Sequence, residues 1–108
     1  MKNTKVNIET PLYRLVCALC LDYDRREDAL RNQEGDLCTL LTYRDLNETI
    51  DRSIAEVCEE TIREEMRRDI GNYIGITRTK LLDCMGDNTF KIRKRMSIEA
   101  IARNLHLI

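Results

Sequence analysis

A chain of 108 residues is long enough to bury one real core and too short for two, so a single domain spanning 1–108 is expected. One Pro, four Gly, one Phe and no Trp, beside abundant Leu, Ile, Arg, Glu and Asp, favour helix over sheet and predict an all-α fold. The formal net charge of −1 excludes a uniformly basic nucleic-acid binder, and no apolar run approaches the roughly 20 residues of a membrane span. The polar start MKNTKVNIETP lacks the apolar stretch of a signal peptide, which points to the cytoplasm.

The first helix starts at Thr10-Pro11, where threonine can cap free N–H groups and proline at the first helical position loses no hydrogen bond. Leu12, Leu15, Val16, Leu19, Tyr23 and Leu30 then recur at i, i+3, i+4 spacing, while Asp22/Arg26 and Glu27/Arg31 stand one turn apart on the side expected to be wet. This predicts one helix over 11–32, broken at Gly35 in NQEGD. The apolar run LCTLLTY, residues 37–43, is too short for periodicity to assign and reads as a short helix or a buried turn. From there Leu46, Ile50, Ile54, Cys58, Ile62, Met66, Ile70 and Ile74 recur every fourth residue. Because a turn holds about 3.6 residues, each step moves the stripe about 40° round the axis. One straight helix cannot turn all of them to one core, so two are predicted, 44–58 and 60–73, divided near CEET, with the acidic residues on a solvated face. Gly75 suits the left-handed residue that ends the second. Thr77 can cap a short helix over 77–85, closed by Gly86, and Asp87 or Asn88 caps the last helix, which turns Phe90, Ile98, Ile101, Ala102 and Leu105 to the core. The result is a compact bundle of five or six helices, with N-terminal helices over 1–60 and a helix-turn-helix-like part over 61–108.

The five cysteines, Cys17, Cys20, Cys38, Cys58 and Cys84, are odd in number and lie among apolar neighbours. They read as reduced, buried small hydrophobes. Cys17-x-x-Cys20 offers half a zinc site, but there is no second such pair and His106 is the one histidine; a mid-helix position does not suit a redox pair either. No metal or cofactor is expected. No enzyme is expected: there is no His/Cys or Ser/His/Asp arrangement with a usable base, no phosphate-binding Gly-rich loop, and no implied small-molecule substrate. Tyr13, Tyr23, Tyr43 and Tyr73 read as core-edge packing rather than a base-stacking platform.

Charge is unevenly spread. Residues 44–69 hold nine acidic and five basic side chains, whereas residues 90–108 hold Lys91, Arg93, Lys94, Arg95 and Arg103 against Glu99 alone. Any polyanion contact is therefore expected at the C-terminal end. A helix-turn-helix needs a small residue where its second helix crosses closely and a residue tolerant of positive φ four positions later. Gly71 and Gly75 meet this, with Ile70, Ile74, Ile76, Leu81 and Cys84 as the locking residues. In that register Thr77, Arg78, Thr79 and Lys80 face the major groove and its phosphates, although Asp83 on the same helix repels them. An αα-corner that only turns the chain is the alternative. A second register hinges at Gly86 and makes the last helix the reader, through Asn88, Thr89, Lys91, Arg93, Lys94 and Arg95. It is the weaker motif, with Leu82 where a small residue is wanted, and the stronger in charge; its alternative is a basic outer face that balances the acidic helix.

The segment from Thr89 to Arg95, TFKIRKR, continuing into IEAIARNLHLI, resembles the C-terminal helix of phage-encoded regulators of the ArpU/RinA type. In that group a Ser/Thr–aromatic start runs into a basic stretch and an Ala-x-x-Leu-x-Leu ending. LDYDRRE in the first helix and the Leu46/Ile50 helix are compatible with the group, and the similarity covers about the last third of the chain. The resemblance implies a small transcription regulator of phage or mobile-element type with a sigma-region-4-like helix-turn-helix whose basic helix lies against DNA. The expected partner is double-stranded DNA, with a homodimer left open. The second register is preferred, with Arg78 and Lys80 as auxiliary phosphate contacts. The competing expectation is a helical protein-interaction module that does not bind DNA.

Overall fold

The computed structural model describes residues 10–71 and 85–108, apart from the Asp87 side chain, and every element among them is helical. Helix α1 spans Thr10–Leu21 and buries Val16, Cys17 and Cys20. Helix α2, Tyr23–Asn32, starts after the single intervening residue Asp22, so the helix predicted over 11–32 is two. Arg26 sits at that junction. Its guanidinium donates to the Leu19 carbonyl in the last turn of α1, to Asn47 Oδ1 at 2.7 Å and to Asp22 Oδ2 at 3.3 Å. Far from lying on a wet face, Arg26 is 2% exposed. A cation can be buried there because an ion pair and two further acceptors meet its donors. Helix α2 ends at Gln33, which takes the left-handed conformation at φ 55°. The Glu34 amide returns to the Ala29 carbonyl at 2.9 Å, so a glutamine closes the helix where glycine is usual. Gly35 follows at φ 135°, which a side chain would strain.

Helix α3, Leu37–Ala55, is capped by Asp36, whose side chain accepts from the Thr39 amide at 2.8 Å. This cap makes residues 37–43 the opening turns of one long helix rather than a separate short helix or a buried turn, and it leaves Leu37 71% exposed. The division predicted near CEET is present. Helix α3 stops at Ala55, a 3-10 turn follows at Glu60–Ile62, and α4 runs over Arg63–Gly71. The change of direction lets Ile50, Ile54, Cys58, Ile62, Met66 and Ile70 all enter one core. Each fully buried isoleucine there contributes roughly 2 kcal/mol.

Helix α5, Asp87–Asn104, supplies Phe90, Ile98, Ile101 and Ala102 to the same core, with Leu105 at its edge. Its cap is Gly86, not Asp87 or Asn88. Gly86 is extended (φ −69°, ψ 164°) and has no neighbour within 4 Å of a would-be Cβ, so it is not a left-handed hinge. Helix α2 runs antiparallel to α3, as Tyr23–Asp51, Arg26–Asn47 and Arg25–Tyr43 hydrogen bonds require. Helix α5 runs back along α3, and α1 packs on α4 and α5. A Cβ on Gly71 would come within 2.6 Å of the Leu21 amide nitrogen and 2.8 Å of the Cys20 carbonyl carbon, while the crossing predicted for it with the helix over 77–85 lies outside the described residues. The close crossing is with the end of α1.

Cys17, Cys20 and Cys58 are buried free thiols, whereas Cys38 is exposed, contrary to the expectation of burial. Burial and the neighbouring Cys17 push the Cys20 thiol up to about 12. The Gly75 hinge, Tyr73, Cys84, the helix predicted over 77–85 except Met85, and with them Arg78, Thr79 and Lys80, lie outside the described residues. No helix among the described residues is long and apolar enough to cross a membrane, and none of their His, Cys, Asp and Glu side chains group in threes that could hold a metal ion.

Candidate nucleic-acid interface

Helix α5 advances about 100° per residue, and Phe90, 1% exposed, marks its inward direction. Relative to Phe90, Lys94 lies about 40° away, Lys91 and Arg95 about 100° and 140° on the same side, and Arg93 about 60° on the other. The four cations expected to act together therefore leave the helix in three directions. The outward side carries Asn88, Ile92 and Glu99, with Met96 at its margin about 120° from Phe90 and Thr89 exposed.

Lys94 and Arg93 are held by carboxylates of other elements. Lys94 Nζ lies 2.9 Å from Asp69 Oδ2, with the lysine side chain 18% exposed and the aspartate 0%, and the same ammonium is 5.9 Å from the centre of the Phe90 ring. A buried carboxylate of this kind needs a partner, since an isolated charge costs several kcal/mol to desolvate. Arg93 Nη1 reaches Glu59 Oε1 at 3.3 Å. Further along, Arg103 pairs with Glu56 at 3.3 Å, and Asn104 donates to Glu56 Oε2 at 2.8 Å. Part of the basic stretch thus balances the acidic end of α3 and the connection to α4. The partner of Lys94 was readable in the sequence: Asp69 falls on the buried Met66/Ile70 stripe of α4, where a charge requires a counter-charge.

Lys91 and Arg95 remain on the edge facing α1. With Tyr13, Phe90 and Lys94 they line an open groove of about 250 Å³, whose walls among the described residues hold three cations, two aromatic rings and no carboxylate. Tyr13 comes from α1, on the same side as Val16 and Cys20, and sequence reasoning placed it only as packing. Arg95 has no ion-pair partner among the described residues. A second cleft, about 330 Å³ between α2, α3 and α4, is different in character, because Asp51, Glu60 and Glu64 alternate there with Arg63 and Arg67. Arg67 stacks 3.8 Å over the Tyr23 ring, and Tyr23 donates to Asp51 at 2.8 Å. Burial holds the Asp51 carboxyl above its usual range, and burial with the Asp51 hydrogen bond pushes the Tyr23 hydroxyl up. With three cations among its lining residues, the α1/α5 groove suits an anion better than the mixed-charge cleft between α2, α3 and α4.

Comparison with protein-family models, with curated proteins and with solved structures gave no match for this chain.

Proposed function

We propose that the protein is a small, non-enzymatic, cytoplasmic DNA-binding transcription regulator of phage or mobile-element type, similar to the ArpU/RinA group, and that it meets the phosphates of duplex DNA along the α1/α5 edge. The observation that supports this reading is the α1/α5 groove, where the cations Lys91, Lys94 and Arg95 meet the aromatic rings of Tyr13 and Phe90. Asn88 and Thr89 are exposed in the first turn of α5, where unpaired amides favour a phosphate. Arg93 and Lys94 drop out of the contact set, because Glu59 and Asp69 hold them. Arg78, Thr79 and Lys80 stay in the proposal as auxiliary contacts from the adjoining segment. Two phosphate contacts set a salt slope of about −1.8, or roughly a tenfold loss of affinity between about 50 and 200 mM salt. The test is fluorescence anisotropy with a labelled duplex across that range. Lys91→Ala/Arg95→Ala should remove most of the slope while leaving helicity intact; binding that survives this change, or no binding at low salt, sinks the proposal.

A second reading, a protein-interaction module without DNA binding, is favoured by Ile92 and Met96, which stand one turn apart on the outward strip of α5 and are 52% and 45% exposed. Large apolar side chains paired on a helix surface suit a protein partner better than a phosphate backbone.

A further inference from the structure

We infer that the open cleft between α2, α3 and α4 binds a small zwitterion of the α-amino-acid class, its carboxylate held by Arg67 and its ammonium by Asp51. The inference is independent of DNA binding, since among the described residues the cleft shares no side chain with the α1/α5 groove.

Sequence spacing builds one wall. Glu60, Arg63, Glu64 and Arg67 recur at i, i+3, i+4 and i+7 along the 3-10 turn and α4, which puts them on one face. Tyr23 of α2 and Asp51 of α3, joined by their 2.8 Å hydrogen bond, form the other wall together with the buried Ile54. The space between them, about 330 Å³, falls within the range of small-molecule sites, about 300–1,000 Å³. Arg67 is the anchor. It is 8% exposed, and a guanidinium so buried ordinarily has its donors met. Among the described residues, however, none of its N–H groups makes a hydrogen bond: it stacks on the Tyr23 ring, and the carboxylate paired with it, Asp24 Oδ1, is 3.5 Å away on a side chain 69% exposed.

The other charges of the cleft are only partly used. Arg63 donates through Nε to the Cys58 carbonyl at 2.8 Å, and its Nη groups have no acceptor among the described residues. Glu64 is spent on Arg68 at 2.8 Å. Asp51 accepts from Tyr23 through Oδ2 alone, and Glu60 accepts from no described residue. No ion pair among the described residues joins Asp51 or Glu60 to Arg63 or Arg67. Opposite charges thus line one cleft without bridging it. A simple anion would also meet Asp51 and Glu60, and a simple cation would also meet Arg63 and Arg67, whereas a molecule that carries both charges is matched at each end. A planar carboxylate fits the arginine fork with two parallel hydrogen bonds, and an ammonium has three donors to share between Asp51 and Glu60.

The experiment is differential scanning fluorimetry on the full chain, without DNA, with each of the common amino acids in turn. At about 20 mM, or about ten times Kd, at least one of them should raise the melting temperature by roughly 5 °C. The analogue of that amino acid without its α-amine, and the analogue without its α-carboxylate, should each give no shift at the same concentration. Isothermal titration calorimetry then reads the variants. Asp51→Asn keeps an acceptor for the Tyr23 hydroxyl but loses the charge, and should weaken binding by about tenfold. Arg67→Lys keeps the charge but loses the fork, and should weaken it by a similar factor. No shift with any amino acid overturns the inference, as do equal shifts from the two analogues or an Asp51→Asn variant that binds as tightly as the wild type. Should Arg67→Lys fail to fold, Asp51→Asn decides, because Asp51 is exposed at the surface.

Discussion

Replacing Lys94 with alanine is expected to destabilise the fold rather than to weaken a surface contact. The ammonium is 2.9 Å from Asp69 Oδ2, and the aspartate side chain is 0% exposed. Removing the lysine takes the 2.9 Å ammonium partner from a carboxylate in the core. Breaking a buried pair this way costs about 3–5 kcal/mol, and the lower figure applies here because the truncated side chain opens a path for water from a position already 18% exposed. A loss of about 3 kcal/mol lowers the melting temperature of a chain this size by roughly 12 °C. Lys94→Met/Asp69→Leu removes both charges and keeps the volume, so it should recover most of that loss. Arg93→Ala, which breaks an exposed pair with Glu59, should cost at most about 0.5 kcal/mol. Thermal and urea unfolding followed by circular dichroism distinguish these variants. If Lys94→Ala melts within about 2 °C of the wild type, the pair is not structural and Lys94 returns to the set of side chains available to a ligand.

Gly71→Ala should destabilise by about 2 kcal/mol, since its Cβ would meet the α1 backbone at 2.6–2.9 Å and overpacking outweighs the gain in helix propensity; Gly86→Ser should be neutral or stabilising by a few tenths of a kcal/mol through added capping. Urea midpoints that ranked the two in the opposite order would contradict both assignments. In native protein at mildly alkaline pH, an alkylating reagent should label Cys38 quickly and Cys17, Cys20 and Cys58 only on unfolding, as peptide mapping by mass spectrometry would show. The Thr39 backbone hydrogen bond holds the Asp36 carboxyl below its usual range. Its contribution to stability is therefore complete above the ordinary carboxylate range and lost as pH falls through the lowered value. Asp36→Ala should reduce the melting temperature at neutral pH, and the gap from wild type should close in acid; a gap that persists at the lowest pH would rule out the cap.

Helical class, the break after residue 55 and most of the core were legible because they depend on spacing alone. The four-residue stripe from Ile50 to Ile70 had to change axis to bury every member, and α3, the 3-10 turn and α4 provide that change. What could not be read were features set by long-range partners. Arg26 looks like one half of a solvent-facing i, i+4 pair, and only Asn47, twenty-one residues on, together with the Leu19 carbonyl, makes its burial tolerable. Leu37 looks like a core residue until Asp36 starts a helix whose first turns extend past the bundle. Gly71 was correctly singled out as a close crossing, but local pattern cannot say which helix crosses, and Leu21 is fifty residues upstream.

The basic run of the last helix shows the same limit applied to function. Consecutive positive residues look like one patch in a linear sequence, but on a helix consecutive positions diverge by about 100°, so a compact run such as Arg93-Lys94-Arg95 is spread around the axis by construction. A ridge would need its cations three and four apart, and only Lys91 and Arg95 meet that spacing on an open edge. Arg93 and Lys94 are instead placed where the acidic residues of the preceding elements need neutralising, and Glu59 and Asp69 use them. The excess of acid in residues 44–69 and the excess of base after residue 90 are thus partly one structural feature, the two sides of the α3/α4–α5 packing. The exposed side of the helix is narrower than the run suggests: an edge with Arg95, which has no ion-pair partner among the described residues, beside the exposed apolar Ile92 and Met96. Any ligand of this face must satisfy both chemistries or choose between them, so Lys91→Ala/Arg95→Ala reports on a phosphate contact and Ile92→Glu/Met96→Glu on a protein one.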